Sequence, residues 1–478
     1  MSKRVLLVNP PVPDNKVWVR EGRCQQWDIW GAPFPPLSLA MISTQLVKED
    51  CETKIIDSGP EKKDIHGVLQ EARSFNPAIT IISSATPTIA TDLGWFADQL
   101  KESVPHTLIA AVGIHVSVLP EDVLTRFNSV DFLIMGEPEI SAKELVLTIT
   151  DGAPVEYVEG IARRDKEGKI RVNRQREFIG DLDSLGFPDW QKISFSNYLL
   201  PIKKRKFSLI SFSRGCPFSC TYCATHTYNG RILRKRSIGS LMKEIDYNRS
   251  MGVKDFLFWT ELMTGDKVYL NDFLDSILKE GLGKEISWVC NSRVDGIDYE
   301  LASKMKEAGC WQIAFGFEFG DDAILNRAKK GGKVTVSQSE KAANAANRAG
   351  IVVDGHFIMG YPGENVQTMQ KTIDLACSLP LTFAHFYAAV PFPGSELYEE
   401  AIKNCWIRND NLHGQDSACI HTDILDTATV DRYIKKAYRA FYFRPGTTLR
   451  VLKIPRSLRE LAEIVRMGLR FYNLLKKP

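Results

Sequence analysis

The sequence predicts an α/β chain: a helix-wrapped parallel sheet, a second series of strand–helix units, and a helical tail. Three observations carry this. Short runs rich in Ile and Val alternate with longer stretches of helical period from Val5 to Met135. The alternation resumes at Phe207 and holds to Ala388. Beyond that point the chain reads as helices alone. Ile/Val runs spaced by helices mean βαβ units and parallel sheets covered on both faces.

Composition narrows the class. The chain has 478 residues, enough for about three domains. At 44% apolar and 25% charged with a formal net charge of +3, it is ordinary and demands no nucleic-acid partner. Ten cysteines with one tight cluster argue for reduced thiols in a cytoplasm and against a disulfide framework. No apolar run approaches the ~18 residues of a spanning helix. The chain enters a strand at Val5 with no cleavable signal before it, so the expected compartment is cytoplasmic.

Residues 1–150 form the first predicted domain. Its strands are Val5–Asn9, Thr53–Asp57, Ile79–Ser83, Thr107–Val112 and Val130–Met135. Its helices are Leu37–Lys48, Asp64–Phe75, Thr88–Ser103, Glu121–Phe127 and Ile140–Ile149. Five such strands suit a flavodoxin-like (Rossmann-type) sheet, which binds ligands beyond its carboxyl ends. Turn-forming loops lie at that edge: Asn9-Pro10-Pro11, Ser83 to Thr88, Gly113-Ile114-His115 and Gly136-Glu137-Pro138. No Gly-x-Gly-x-x-Gly follows the first strand, which argues against a dinucleotide. The loop Val12 to Pro36 is long and carries Trp18, Arg20, Arg23, Trp27 and Trp30, but no histidine. A long loop is either a packed cover or a ligand contact.

Residues 151–206 read as a connector. Val158–Arg163 and Lys169–Asn173, split by Asp165-Lys166-Glu167-Gly168, predict a β-hairpin. The basic run Lys203 to Lys206 is a solvated face, with phosphate recognition as the alternative.

Residues 207–395 form the second domain. Strands are expected at Phe207–Ser211, Asp255–Trp259, Ile286–Asn291, Gln312–Phe317, Val352–Ile358 and Phe383–Ala388. Six βα units make an open, partial (β/α)6 TIM barrel with its chemistry at the carboxyl ends of the strands. Just past the first strand come Cys216, Cys220 and Cys223, at Cys-x3-Cys-x2-Cys spacing. Three thiolates cannot complete the four-cysteine ligation of an iron–sulfur cluster, so one iron would keep an open position. The alternative is structural zinc with His226 as fourth ligand. Cys290 and Cys310 flank strands and read as small core residues.

Residues 396–478 supply the helices Leu397–Asn404, Val430–Tyr442 and Ser457–Leu475. In the last, Leu458, Leu461, Val465, Tyr472 and Leu475 share a stripe. Arg459, Glu463, Arg466, Arg470 and Asn473 line the neighbouring one. From Arg432 onward basic residues outnumber acidic ones thirteen to two. Such a helix either caps the barrel or lies on an anionic membrane surface.

The segment Ser213 to Cys223 resembles the cluster loop of radical S-adenosylmethionine (SAM) enzymes, in which Tyr222 matches the aromatic before the third cysteine. The first domain resembles the cobalamin-binding domain of one large class of them. The matching pieces are Val112 to His115, Leu119-Pro120-Glu121, Val130-Asp131-Phe132 and Gly136 to Glu139. Together the resemblance covers nearly all of the chain. It implies a [4Fe-4S] cluster on Cys216, Cys220 and Cys223, which are its catalytic and metal residues, together with SAM and cobalamin. Ser83, Ser84, Thr86, Gly113, His115, Gly136 and Glu137 would hold the cobalamin tail and corrin edge. The Asp-x-His-x-x-Gly motif that gives cobalt a histidine is missing, so base-off cobalamin without an imidazole from the first loop is expected.

For SAM, Glu261 would take the ammonium and Arg293 the carboxylate as a two-pronged pair. Glu318 would accept from ribose hydroxyls, and Gly360 and Gly363 would let backbone approach the adenine. Gly316-Phe317-Glu318 and Gly360 to Glu364 match family motifs. Departures are Trp259-Thr260-Glu261, where Gly-Gly-Glu is common, and Phe319, where serine is common.

The resemblance implies methylation of an unactivated carbon through a 5'-deoxyadenosyl radical and methylcobalamin, on a small-molecule substrate such as a lipid or other hydrophobic metabolite. An external electron donor of flavodoxin or ferredoxin type is implied too. Two alternatives stand. One is non-methylating ring formation, as in the anaerobic magnesium-protoporphyrin ester cyclase group. The other is a cobalamin- or zinc-binding regulatory protein without turnover.

Overall fold

The computed structural model describes residues 3–13, 18–21, 25–26, 33–329, 334–407, 415, 417–454 and 457–476. Arg23, Trp27 and Trp30 lie outside that set, as do the side chains of Arg459, Arg470, Tyr472, Asn473 and Leu475. Two units emerge: Met1–Tyr198 with Thr227–Gly230, and Leu199–His226 with Arg231–Pro478.

In the first unit the strands are β1 (Arg4–Asn9), β2 (Glu52–Asp57), β3 (Ile79–Ser83), β4 (Leu108–Val112), β5 (Phe132–Ile134), β6 (Ile161–Arg164) and β7 (Ile170–Val172). Their order is 2-1-3-4-5-6-7, with β1 to β5 parallel. This is the flavodoxin-like arrangement expected of five Ile/Val-rich runs. Alternation along each strand feeds two layers. Leu6, Val8, Ile82, Ile109 and Leu133 share a core with Val68, Leu100 and Leu124 from three covering helices.

The predicted hairpin is not a free connector. β6 pairs antiparallel with β5, and β7 with β6, so the hairpin extends the first sheet. Its pairing covers the backbone groups that β5 would otherwise expose. The helix expected over Thr88–Ser103 is also broken: Thr86–Thr88 winds as 3-10, Ala90–Phe96 as a π-helical segment, and Ala97–Ser103 as α-helix.

The second unit is the partial barrel. β8 (Phe207–Ser211), β9 (Asp255–Trp259), β10 (Ser287–Ser292), β11 (Cys310–Glu318), β12 (Val352–Met359) and β13 (Phe383–Ala388) are parallel and lie in chain order. Capping side chains start the intervening helices. Asp266 accepts from Tyr269 N at 3.0 Å, and Thr335 makes a capping box with Gln338. Behind β8 and β9, Phe212, Phe258, Phe273 and Trp288 pack edge to face. Cys290 and Cys310 are buried, as small core residues should be.

Past the last strand, the helix Thr427–Tyr442 packs on β13. Tyr438 Oη accepts from Phe386 N at 3.2 Å, and Tyr442 Oη donates to Ala384 O at 3.0 Å.

Two expectations for charged segments need correction. The run Lys203 to Lys206 is not simply solvated. Lys203 sits over the Trp311 ring at 3.9 Å and donates to Ser287, Lys204 pairs with Glu463, and Arg205 pairs with Asp255. The start of β9 presents a buried carboxylate that needs such cations. The last helix, Leu458–Lys476, also turns differently from a helix burying its apolar stripe. Glu463 and Met467 face inward, while Leu458 is 86% exposed and Val465 53%. The Lys204–Glu463 pair and Met467 set that rotation. No helix among the described residues is long and apolar enough to cross a membrane.

Candidate active site

The cysteine loop leaves β8 and is closed at its base, where Ser213–Arg214 pairs antiparallel with Arg234–Lys235. Gly215, at φ +92°, turns the chain into the loop. Cys223 N donates to Cys220 O at 3.0 Å, making a tight turn between the last two cysteines. All three cysteines are outside disulfides and half-buried.

Fixed points hold this loop. Thr221 N donates to Ala328 O at 3.1 Å, and the Thr221 hydroxyl meets the Tyr361 hydroxyl at 2.6 Å. Tyr222 sets its edge against Phe319 with centroids 6.5 Å apart, and Phe319 leans on Tyr361 at 5.3 Å. The Arg293 guanidinium lies 3.8 Å from the Phe218 ring centroid. The two departures from family pattern thereby acquire reasons. Phe319 packs between two tyrosines, and Thr260 Oγ1 meets Ser213 Oγ at 2.6 Å, tying the end of β9 to the base of the loop.

Electrostatics places the rest. Burial, with Cys223, Cys220 and Glu261 adding to it, pushes the Cys216 thiol up to about 11. Burial likewise lifts Tyr222 well above the usual phenol range, with Glu318 adding to it. These neighbours bring Glu261 and Glu318 to the loop together with the cysteines. Arg293 Nη2 and Nε donate to Asp295 at 2.6 and 2.9 Å, so that guanidinium already grips a carboxylate. Glu318 closes β11 at φ +64°, a left-handed backbone unusual for glutamate. Gly360 and Gly363 also take positive φ, but a Cβ at either would meet Val430 or Arg327, so the local packing already requires glycine.

Among the described residues, the one trio of ligand atoms within 4.8 Å is Asp354, His356 and His385. The three thiols with His226 are therefore spread wider than one tetrahedral zinc requires, about 3.8 Å between sulfurs at a 2.3 Å bond. Three reduced thiols on one loop suit a larger inorganic centre. A bound cation would reverse the upward push on Cys216.

In the first unit the loops after β3, β4 and β5 are joined in a chain. Ser84 N donates to Val112 O at 2.9 Å; Ser117 Oγ donates to Gly113 O at 2.8 Å and accepts from Gly136 N at 3.0 Å. Gly113 is at φ +138°, and a Cβ there would stand 1.9 Å from Ser84 O. Gly136 faces open space. Ser83 and Thr86 are buried at the end of β3. Glu137 Oε2 accepts from Ile179 N at 2.7 Å. His115 Nδ1 meets Thr86 Oγ1 at 3.2 Å, while its buried Nε2 has no hydrogen-bond partner among the described residues. Burial lowers its pKa to about 4, so the ring is neutral. A glycine cradle beside a neutral, half-satisfied imidazole fits a large polar-edged cofactor.

Comparison with known proteins follows the same division. Residues 210–376 match the Radical SAM superfamily and residues 30–146 match the B12 binding domain. The chain carries a radical SAM domain and a B12-binding domain. It is homologous to the cobalamin-dependent radical SAM methyltransferases and to the magnesium-protoporphyrin cyclase group. An uncharacterised methyltransferase of Pyrococcus horikoshii is 29% identical over 457 residues, 94% of each chain. The anaerobic magnesium-protoporphyrin IX monomethyl ester cyclase of Rubrivivax gelatinosus is 26% identical over 78% of this chain and 67% of that one. Among solved structures, the radical SAM methyltransferase TsrM of Kitasatospora setae, with cobalamin and a [4Fe-4S] cluster bound, superposes at a TM-score of 0.73. It covers 99% of this chain and 100% of that one at 16% identity, a likeness of fold.

Sequence reasoning passed over several groups in these two domains. Arg20 Nη2 and Nε donate to Asp92 at 2.6 and 3.1 Å, fastening the long first loop to the π-helical segment. Asp57 takes hydrogen bonds from Tyr198 at 2.7 Å and Asn9 at 3.3 Å, and burial raises its pKa to about 6. Asp354, His356 and His385 were missed although Asp-x-His and His-x-Tyr, each at period two, fall on predicted strands. Burial would raise the Asp354 carboxyl, but His385 and His356 hold it below the usual range.

Proposed function

We propose that this chain transfers a methyl group to an unactivated carbon of a small, hydrophobic substrate. The observation that carries the reading is the methyltransferase relative aligned over 94% of both chains, together with three cysteines outside disulfides on a loop after the first barrel strand. The cyclase reading draws on a relative aligned over less of either chain.

Cys216, Cys220 and Cys223 would hold the cluster, with Tyr222 packed beside it. Glu261, Glu318, Gly360, Gly363 and, after release from Asp295, Arg293 would hold SAM. Ser83, Ser84, Thr86, Gly113, His115, Gly136 and Glu137 would hold base-off cobalamin. When bound, these groups supply a reducing electron and a transferable methyl. The chain's own residues bind, orient and exclude water: Phe218, Phe319 and Tyr361 wall the loop in apolar surface, and Thr221 fixes its backbone.

A flavodoxin- or ferredoxin-type donor would supply the electron, in a cytoplasmic setting. Leu458, Val465 and Leu469 are 86%, 53% and 61% exposed, which supports peripheral contact of the last helix with an anionic membrane. Co-sedimentation with anionic vesicles tests this: no more binding than to neutral vesicles would remove it.

The reaction is tested by anaerobic reconstitution with SAM, cobalamin and a chemical reductant. Cluster absorbance, SAM cleavage and S-adenosylhomocysteine with a methylated product are expected. Deoxyadenosine without S-adenosylhomocysteine would favour the cyclase reading. Alanine at all three cysteines should abolish cleavage; intact turnover in that variant would overturn the assignment.

A further inference from the structure

A second cluster of ligand-type side chains lies in the barrel, away in sequence from the cysteine loop. β12 and β13 run parallel with His356 paired to His385 and Ile358 to Tyr387. Side chains alternate faces along a strand. Phe357 and Phe386 stack on one face, and Phe386 packs on Tyr438 and Phe441 of the covering helix. Asp354, His356, His385 and Tyr387 therefore share the opposite face, toward the barrel interior.

Their geometry is that of ligands held in place by neighbouring polar groups. Asp354 Oδ2 accepts from Gln312 Nε2 at 3.1 Å. Its Oδ1 is 3.4 Å from His385 Nε2, an ion-pair distance too long for a well-made hydrogen bond. That oxygen is buried, in a residue only 6% exposed, with no hydrogen-bond partner among the described residues. His356 Nδ1 meets Tyr387 Oη at 3.1 Å, which orients the ring. The two imidazoles stack 5.0 Å apart at 20°. One ligand atom from each of Asp354, His356 and His385 lies within 4.8 Å of the others.

We propose that Asp354, His356 and His385 form a divalent transition-metal site inside the barrel, with Tyr387 and Gln312 orienting the ligands. Around a tetrahedral ion with bonds near 2.0–2.1 Å, ligand atoms stand about 3.3 Å apart, close to the Asp354–His385 separation. Two imidazoles and a carboxylate suit zinc or ferrous iron and leave at least one position open. A tyrosine on the second imidazole nitrogen, and an amide on the second carboxylate oxygen, are the outer partners such ligands take. The ion would satisfy Asp354 Oδ1 and present a Lewis acid to an oxygen or nitrogen of the substrate. This site is independent of the cluster and of the methyl-transfer reading.

The test uses the full chain with Cys216→Ala, Cys220→Ala and Cys223→Ala, which removes the cluster thiolates as competitors. After treatment with a chelator it is titrated anaerobically with Co2+, then with Zn2+. Uptake of one equivalent with visible d–d bands and no sulfur charge-transfer band is expected, displaced by Zn2+. Adding Asp354→Asn or His385→Ala should abolish stoichiometric uptake. Tyr387→Phe, which keeps the ring packing, should weaken it about tenfold. Failure of the parent variant, folded by circular dichroism, to take up either ion would overturn the proposal. So would uptake unchanged by Asp354→Asn and His385→Ala.

Discussion

Replacing Asp92 with alanine should loosen the first unit more than any single exposed substitution there. Asp92 is fully buried, and the Arg20 side chain is 3% exposed. The carboxylate accepts twice from the guanidinium and, at 2.6 Å, from Thr88 Oγ1. Removing one partner of a buried ion pair costs about 3–5 kcal/mol, because the other charge is stranded. Arginine cannot shed its proton, so Arg20 must stay charged in place or pull the loop open. Taking about 4 kcal/mol, opening of the segment around 86–96 should rise roughly a thousandfold.

The reverse change should be milder. Burial raises the pKa of Asp92 even beside Arg20, so in Arg20→Leu the carboxyl can take up a proton and become neutral. The asymmetry between the two variants should widen as pH falls. Hydrogen exchange of peptides spanning 84–100 reads the opening directly, with cobalamin uptake followed by absorbance in parallel. Asp92→Ala within about 1 kcal/mol of the parent, or Arg20→Leu the more damaging at pH 5, would refute the reasoning.

Two further outcomes follow from the loops after β3 and β4. Gly113→Ala adds a Cβ where Ser84 O already stands and keeps a positive φ, costing at least about 2 kcal/mol. The melting of the first unit should drop by about 4 °C or more, and an unchanged melting temperature would contradict the clash. His115 is neutral when folded, with a pKa of about 4 against 6.5 for the free ring. The unfolded chain therefore binds the extra proton between those values. Stability is full above pH 6.5, declines as pH falls toward 4, and loses about 3 kcal/mol in all. Denaturant titrations at pH 7 and 5 should show about 2 kcal/mol of that loss in the parent and not in His115→Gln; equal losses in both would assign the effect elsewhere.

What the amino-acid order discloses depends on how far apart the cooperating residues lie. β3, β8, β9 and β13 occupy the spans expected, because unbroken apolar runs between turn residues leave little choice. The cysteine loop was legible since all three thiols sit within eight residues. The destination of the hairpin was not: its turn chemistry specifies β6 against β7 but says nothing of β5. Arg20 and Asp92 are 72 positions apart, and only the fold closes that gap. Asp354 and His385 meet through strand register, which periodicity in either strand alone cannot supply. The last helix shows the same limit. Its stripe was readable, but the face turned inward was decided by Lys204, on the far side of the barrel sequence.

The two tyrosines laid along β13 make the tail indispensable. A six-strand sheet that never closes on itself ends in a row of backbone groups ready to recruit any passing extended chain. Tyr438 and Tyr442 occupy that row from a helix some forty residues downstream. A chain trimmed after Ser395 would keep every cluster ligand and still bare this margin. Its fate would be self-association rather than a minimal enzyme, and solubility, not chemistry, would set how short the molecule can be.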